Sequence, residues 1–139
     1  MTSLYDQFHS QKNINHIYNL IDDLIFFFNN KIKIANKAGI LNNMIILDPG
    51  IGFGKHVEDN FEIIRELKQI KAMGYPVLLG PSRKSFIGEA LNLPVEDRLE
   101  GTMASIAVGI INGANIVRVH DVLETKHTIS IVERLLGKS

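Results

Sequence analysis

Apolar residues at Ile17, Leu20, Ile21, Leu24, Ile25, Phe28, Ile32 and Ala35 recur at three- and four-residue spacing, which predicts an amphipathic helix that stops at Gly39. Phe26 and Phe27 lie off this stripe, so the helix has apolar surface to spare and is expected in an outer layer between neighbours. Three short, mainly apolar runs, Met44 to Leu47, Pro76 to Leu79 and Ile116 to Val119, the last interrupted by Arg118, predict buried strands. Between the first two, Phe61, Ile64, Leu67 and Ile70 mark a helix opening near Asp59 and closing at Gly74. A third helix carries Ala104, Ala107, Val108 and Ile111 and closes at Gly113, and a fourth carries Ile129, Val132 and Leu136 and stops at Gly137. The order is αβαβαβα, an α/β fold with three parallel strands, four helices and right-handed crossovers. Strand starts at Met44, Pro76 and Ile116 are 32 and 40 residues apart, a spacing suited to barrel units. A complete (β/α)8 barrel takes about 250 residues and eight strands, whereas this chain has 139 residues. The pattern alone therefore leaves two options, a small open sheet or the C-terminal part of a barrel.

Composition narrows the class. Residues 1–139 predict one domain with a sizeable core, 45% of them being apolar. Lys+Arg 15 against Asp+Glu 15 gives no basic excess, so neither nucleic acid nor an anionic membrane is an expected partner. Zero cysteines exclude disulfides, a thiolate nucleophile and cysteine-ligated metal, and fit a reducing cytoplasm. Met1 to His9 lacks the basic and apolar regions of a secretory signal, and Leu24 to Phe28 is far shorter than the ~20 residues that span a bilayer. A soluble, cytoplasmic protein is expected.

The chemistry-bearing residues follow directly on the strands: Asp48 after the first, Ser82, Arg83 and Lys84 after the second, and Arg118, His120 and Asp121 at the end of the third. All would share the carboxyl edge of a parallel sheet, where α/β folds bind ligands. Taken singly, an Asp before Pro-Gly is turn chemistry, and an Arg or Lys is a solvated charge. Their coincidence on one edge argues for a site. The run Gly50-Ile51-Gly52-Phe53-Gly54-Lys55 is not a P-loop, because Pro49 and His56 stand where that motif needs Gly and Ser/Thr. Nor is it a dinucleotide fingerprint, since Lys55 replaces the third glycine. It remains a glycine-permitted loop that can bring backbone amides and Phe53 close to a flat ligand.

Four motifs, Asp48-Pro49-Gly50-Ile51-Gly52-Phe53-Gly54-Lys55, Gly80-Pro81-Ser82-Arg83-Lys84-Ser85, Arg98 with Gly101-Thr102, and Arg118-Val119-His120-Asp121-Val122, occur here in one order and spacing. In that order and spacing the chain resembles the C-terminal half of the dihydropteroate synthases, pterin-binding TIM barrels that join a dihydropterin pyrophosphate to para-aminobenzoate and release pyrophosphate. The resemblance makes the three strands the sixth to eighth of the barrel, with the earlier strands absent from a single partial domain. It implies that Asp48 accepts the pterin's donor pair as a fork, that Lys84 donates to the pterin, and that Phe53 and Gly80 border the ring. Ser82, Arg83 and Ser85 are implied on the para-aminobenzoate side, Ser85 opening a helix whose first amides suit a carboxylate. Arg118 and His120, alternating on one strand, are implied to grip the leaving pyrophosphate, so Lys84, Arg118 and His120 form the catalytic set. The family also implies magnesium, whose protein ligand lies in the earlier strands; no metal ligand is assigned here. A separate N-terminal half is the implied partner, and without it the chain is expected to self-associate and to be inactive. A non-catalytic remnant or interaction module of a truncated or split barrel, and a pterin-dependent methyltransferase, are the alternatives.

Overall fold

The computed structural model describes residues 19–138. Ile17 and the segment Met1 to His9 lie outside them. Helix α1 (Leu20–Lys37) starts where the Asn19 side chain accepts from the Asp22 N–H at 3.1 Å. Asp22 and Asp23 in its first turn and Lys37 in its last complement the helix dipole. Leu20, Ile21 and Phe28 are buried, while Phe26 is exposed.

The predicted strand Met44–Leu47 is only partly extended. Asn42–Met44 forms a single 3-10 turn, with the Met44 N–H donating to the Leu41 carbonyl at 2.9 Å. Leu47 alone pairs, as a parallel bridge to Val77: its N–H donates to Pro76 O at 2.9 Å and its carbonyl accepts from Leu78 N–H at 2.8 Å. The physical reason is the Asn42-Asn43 pair, whose turn preference consumes the start of the run. Strand β1 (Leu78–Leu79) pairs in parallel with β2 (Ile116–Val117), Leu78 opposite Ile116 and Leu79 opposite Val117. The middle position is therefore held by β1, with Leu47 on one side and β2 on the other.

Six helices, against four predicted, occur among the described residues. The predicted 59–74 helix is two, α2 (Val57–Arg65) and α3 (Leu67–Lys71), broken at Glu66. Buried Asn112 causes the break: its side-chain amide donates to Ile64 O at 2.9 Å and Arg65 O at 3.0 Å. A continuous helix would offer those carbonyls to the N–H groups of residues 68 and 69. The other addition to the periodic pattern is α4 (Ser85–Leu91), too short for periodicity to declare it, and it opens at Ser85 as the resemblance implied. Then follow a 3-10 turn at Val95–Asp97, α5 (Leu99–Ile111) and α6 (Val122–Leu135), both longer than predicted at their starts.

The two faces of the sheet differ sharply. Leu47, Val77 and Leu79 are buried in one core with Ile63, Ile64, Leu67, Ile70, Phe86 and Ile87. α5 lies so close to β1 that a Cβ at Gly109 would meet the Leu79 side chain at 2.2 Å. On the opposite face, Ile46 is 51% exposed and Ile116 38% exposed. Side chains alternate across a strand, so Ile46, Asp48, Leu78, Gly80, Ile116 and Arg118 share this uncovered face. Among the described residues no helix is long and apolar enough to cross a membrane.

Asn112→Ala should destabilise the chain by about 1–3 kcal/mol, because two carbonyls lose a buried donor. The midpoint of urea unfolding measures it; an unchanged midpoint would mean that α2 and α3 find other partners.

Candidate active site

The loop after Leu47 is folded around two ammonium groups. Asp48 Oδ1 accepts from the Gly50 N–H at 2.8 Å, an Asx turn that launches the loop. Gly50, Gly52 and Gly54 all have positive φ, at 70°, 82° and 60°. At Gly52 a side chain is also excluded by space, since a Cβ would lie 2.8 Å from the Lys84 side chain. The Gly52 N–H donates to Asn60 Oδ1 at 2.7 Å, and buried Asn60 donates in turn to His56 O at 2.8 Å. A capping box of His56 and Asp59 fixes the start of α2 that carries Asn60. Lys55 Nζ donates to Gly50 O at 2.7 Å and Phe53 O at 3.2 Å. Lys84 Nζ donates to Ile51 O of the same loop. The same ammonium sits 4.6 Å from the centroid of the Phe53 ring, which is 63% exposed.

Burial pulls both lysines below the usual ammonium range. For Lys84 the charges of Arg118 and Lys55 act in the same direction, and only Asp48 opposes them. For Lys55 the charges of Asp48 and Asp59 oppose the burial. The site is thus a group of cations short of counter-charge.

The loops after β1 and β2 are joined by two adjacent pairs. Ser82 Oγ lies 2.7 Å from His120 Nδ1 and accepts from the His120 backbone N–H at 3.0 Å. Arg83 donates through Nε and a terminal nitrogen to the two oxygens of Asp121, at 2.9 and 2.6 Å, a bidentate fork. That fork raises the Arg83 pKa and holds the Asp121 carboxyl below its ordinary value. Arg83 has φ 53°, a left-handed conformation that costs a non-glycine residue about 1–3 kcal/mol. Its backbone is pinned on both sides to offset this: its N–H donates to Thr102 Oγ1 at 2.9 Å and its carbonyl accepts from Arg98 at 2.9 Å. Thr102 donates to Arg98 O at 2.9 Å, closing the circuit.

The fold brings Asp48, Lys84 and Arg118 into one electrostatic neighbourhood, as their order along the strands predicts. Arg118 lies over Gly80, where a Cβ would be 3.3 Å from its guanidinium. His120, two residues further along the chain, is tied to Ser82. The side chains of Ser82 and Arg83 are engaged with His120 and Asp121, and exposed Ser85 is the first residue of α4. Sequence reading missed Lys55, Asn60 and the partner role of Asp121. The polar pair Asp59-Asn60 opening an apolar helix stripe was a usable signal for the second; opposite charge on Arg83 and Asp121 was one for the third.

A parallel α/β unit with a glycine loop, cations and a locked Ser-Arg-Lys loop at its carboxyl edge has the arrangement with which α/β folds of the barrel and doubly wound classes bind ligands. The chain belongs to the pterin binding enzyme family, whose model matches residues 2–120. Dihydropteroate synthase of Clostridium beijerinckii is 50% identical over 121 residues, covering 86% of this chain and 45% of that protein. The Bacillus subtilis dihydropteroate synthase is 44% identical over 119 residues, covering 86% and 42%. A Yersinia pestis dihydropteroate synthase solved with a pterin–sulfa conjugate superposes with TM-score 0.85 at 38% identity, covering 88% of this chain and 48% of that one. The chain therefore spans less than half the length of these relatives.

Asp121→Asn removes the charged acceptor of the Arg83 fork. Because the folded Asp121 pKa is lowered, its contribution is fully present above the unfolded value, near 3.8, and is lost as pH falls through the lower folded value. The mutant should be less stable at neutral pH and converge with the parent in acid, in urea midpoints taken across pH. A constant offset at every pH would remove the ion pair as the cause.

Proposed function

We propose that this chain supplies the sixth to eighth strands, and with them the leaving-group half of the site, of a cytoplasmic dihydropteroate synthase. The observation that carries it is Asp48, Lys84, Arg118 and His120 gathered on one carboxyl edge, in a chain 50% identical to such an enzyme over 121 residues. The aminobenzoate nitrogen attacks the carbon that bears the pyrophosphate. A C–N bond forms as the C–O bond breaks, pyrophosphate leaves with the bonding electrons, and the amine proton passes to solvent. No covalent enzyme nucleophile is needed, so catalysis rests on positioning and on charge placed where pyrophosphate develops it.

In this reading Asp48 accepts from the pterin's amino and ring N–H groups, and Lys84 donates to the ring from beneath Phe53. Arg118, lying over Gly80, and His120 take the pyrophosphate. Ser85 faces the aminobenzoate carboxylate, while Ser82 and Arg83 shape that side of the pocket through the loop they hold. Among the described residues no group of three or more His, Asp or Glu side chains could hold a metal ion. With Asp48 the hard oxygen donor amid cations, these residues by themselves do not fit a magnesium site.

The exposed Ile46 and Ile116 favour a partner for the uncovered sheet face, and the remainder of the barrel, on this chain or a separate one, is its natural occupant. Residues 1–139 alone should self-associate in sedimentation at micromolar concentration and release no pyrophosphate from the two substrates; a compact monomer that turns over would overturn this. In a barrel completed with the N-terminal part of a relative, Asp48→Asn should weaken pterin binding more than tenfold by titration calorimetry, since a charged acceptor becomes a mixed group facing donors. Equal affinity per folded molecule would confine Asp48 to its Asx turn with Gly50.

A further inference from the structure

At Ser82 a hydroxyl meets the ring of a candidate anion-binding side chain, His120. It is 6% exposed, so its hydroxyl must find its partners within the protein. Two contacts are present: Oγ accepts from the His120 backbone N–H at 3.0 Å and lies 2.7 Å from His120 Nδ1. The first is unambiguous, because a backbone N–H can only donate. The second has two possible senses, and they differ in cost. If Nδ1 carried the proton, Oγ would accept twice, and the Ser82 O–H would have no acceptor among the described residues. If Ser82 donates to a bare Nδ1, every group of the pair is satisfied.

We infer that Ser82 is a positioning residue that holds neutral His120 as its Nε2–H tautomer, making the imidazole a hydrogen-bond donor toward the site. The double contact fixes both the backbone and the ring of His120, so the ring is oriented before a ligand arrives. Arg83, the next residue, reinforces the arrangement by its fork to Asp121, the residue after His120. Arg118, two residues before His120 on the same edge, supplies the full positive charge. His120 then adds a directed N–H bond to an anionic oxygen, which a bare Nε2 would repel. This rests on the assignment of Arg118 and His120 to pyrophosphate, but the tautomer itself can be read without any ligand.

The test is nitrogen NMR of the full chain with ring-labelled histidine, at about pH 8, above the ordinary imidazole titration range. It is read in solution, or on a hydrated sediment where the chain associates. Of the five histidines, His120 is identified by the signals lost in His120→Gln. The expected pattern is a bare Nδ1 and a protonated Nε2; in Ser82→Ala the two signals move toward each other as the tautomers mix, and Ser82→Thr, which keeps a hydroxyl, restores the separation. A protonated Nδ1 in the parent, or an unchanged pattern in Ser82→Ala, overturns the inference. Should Ser82→Ala not fold, the parent pattern together with Ser82→Thr still decides between the two senses of the bond. Inorganic pyrophosphate is then added to the parent chain. A shift of the Nε2 signal supports its role as donor, whereas the stated tautomer with no shift upholds the Ser82 contact and overturns the pyrophosphate assignment.

Discussion

Two neighbouring residues of one loop, Ser82 and Arg83, are paired with two neighbouring residues of another, His120 and Asp121. The rest of the site depends on this double link. The strands beneath it are only two residues each, and a ladder that short cannot by itself fix the loops that follow. The bidentate fork needs both guanidinium and carboxylate in one plane, and the serine contact needs the imidazole in one rotation. Together they set the angle at which Arg118 and His120 leave β2 and the point at which Lys84 leaves β1. The left-handed Arg83 is the visible cost of the link, and Thr102 and Arg98 at the start of α5 hold it in place.

The same architecture explains the electrostatics. Lys55 and Lys84 both reach the glycine loop, each donating its ammonium to backbone carbonyls rather than to carboxylates. Carbonyl dipoles solvate the charges without neutralising them, so the lysines remain desolvated and Arg118 adds to the excess. An anion entering from solvent would supply the missing counter-charge. A whole-chain net charge of zero conceals this local excess, which exists only because three loops converge.

On the other side of the sheet the structure is organised by what lies behind it. Leu47, Val77 and Leu79 share one buried cluster with residues of α1 to α4, α5 approaches Leu79 at Gly109, and Asn112 ties the end of α5 to the junction of α2 and α3. The site face carries Ile46 and Ile116 with half-buried Leu78 between them. In a closed barrel such positions fill the interior, which is why one set of residues reads both as strand core and as exposed surface.

The α/β class, the presence of the major helices and the residues of the carboxyl edge were legible because each rests on a local rule: period 3.6 in α1, α5 and α6, apolar runs at Pro76 and Ile116, and chemistry following the strand ends. The motif resemblance added a family, since spacing between loops records a barrel's geometry in the chain. The break at Glu66 was not legible, because Asn112 makes it from 46 residues away in sequence. Neither was the shortened first strand, where turn-forming Asn42-Asn43 won over the apolar run, nor the occupation of Ser82 and Arg83 by His120 and Asp121. Local propensity fixes which residues are helical and which are buried. Which polar side chains meet is decided only when segments distant along the chain are brought together, because a hydrogen bond depends on distances and angles that no single segment contains.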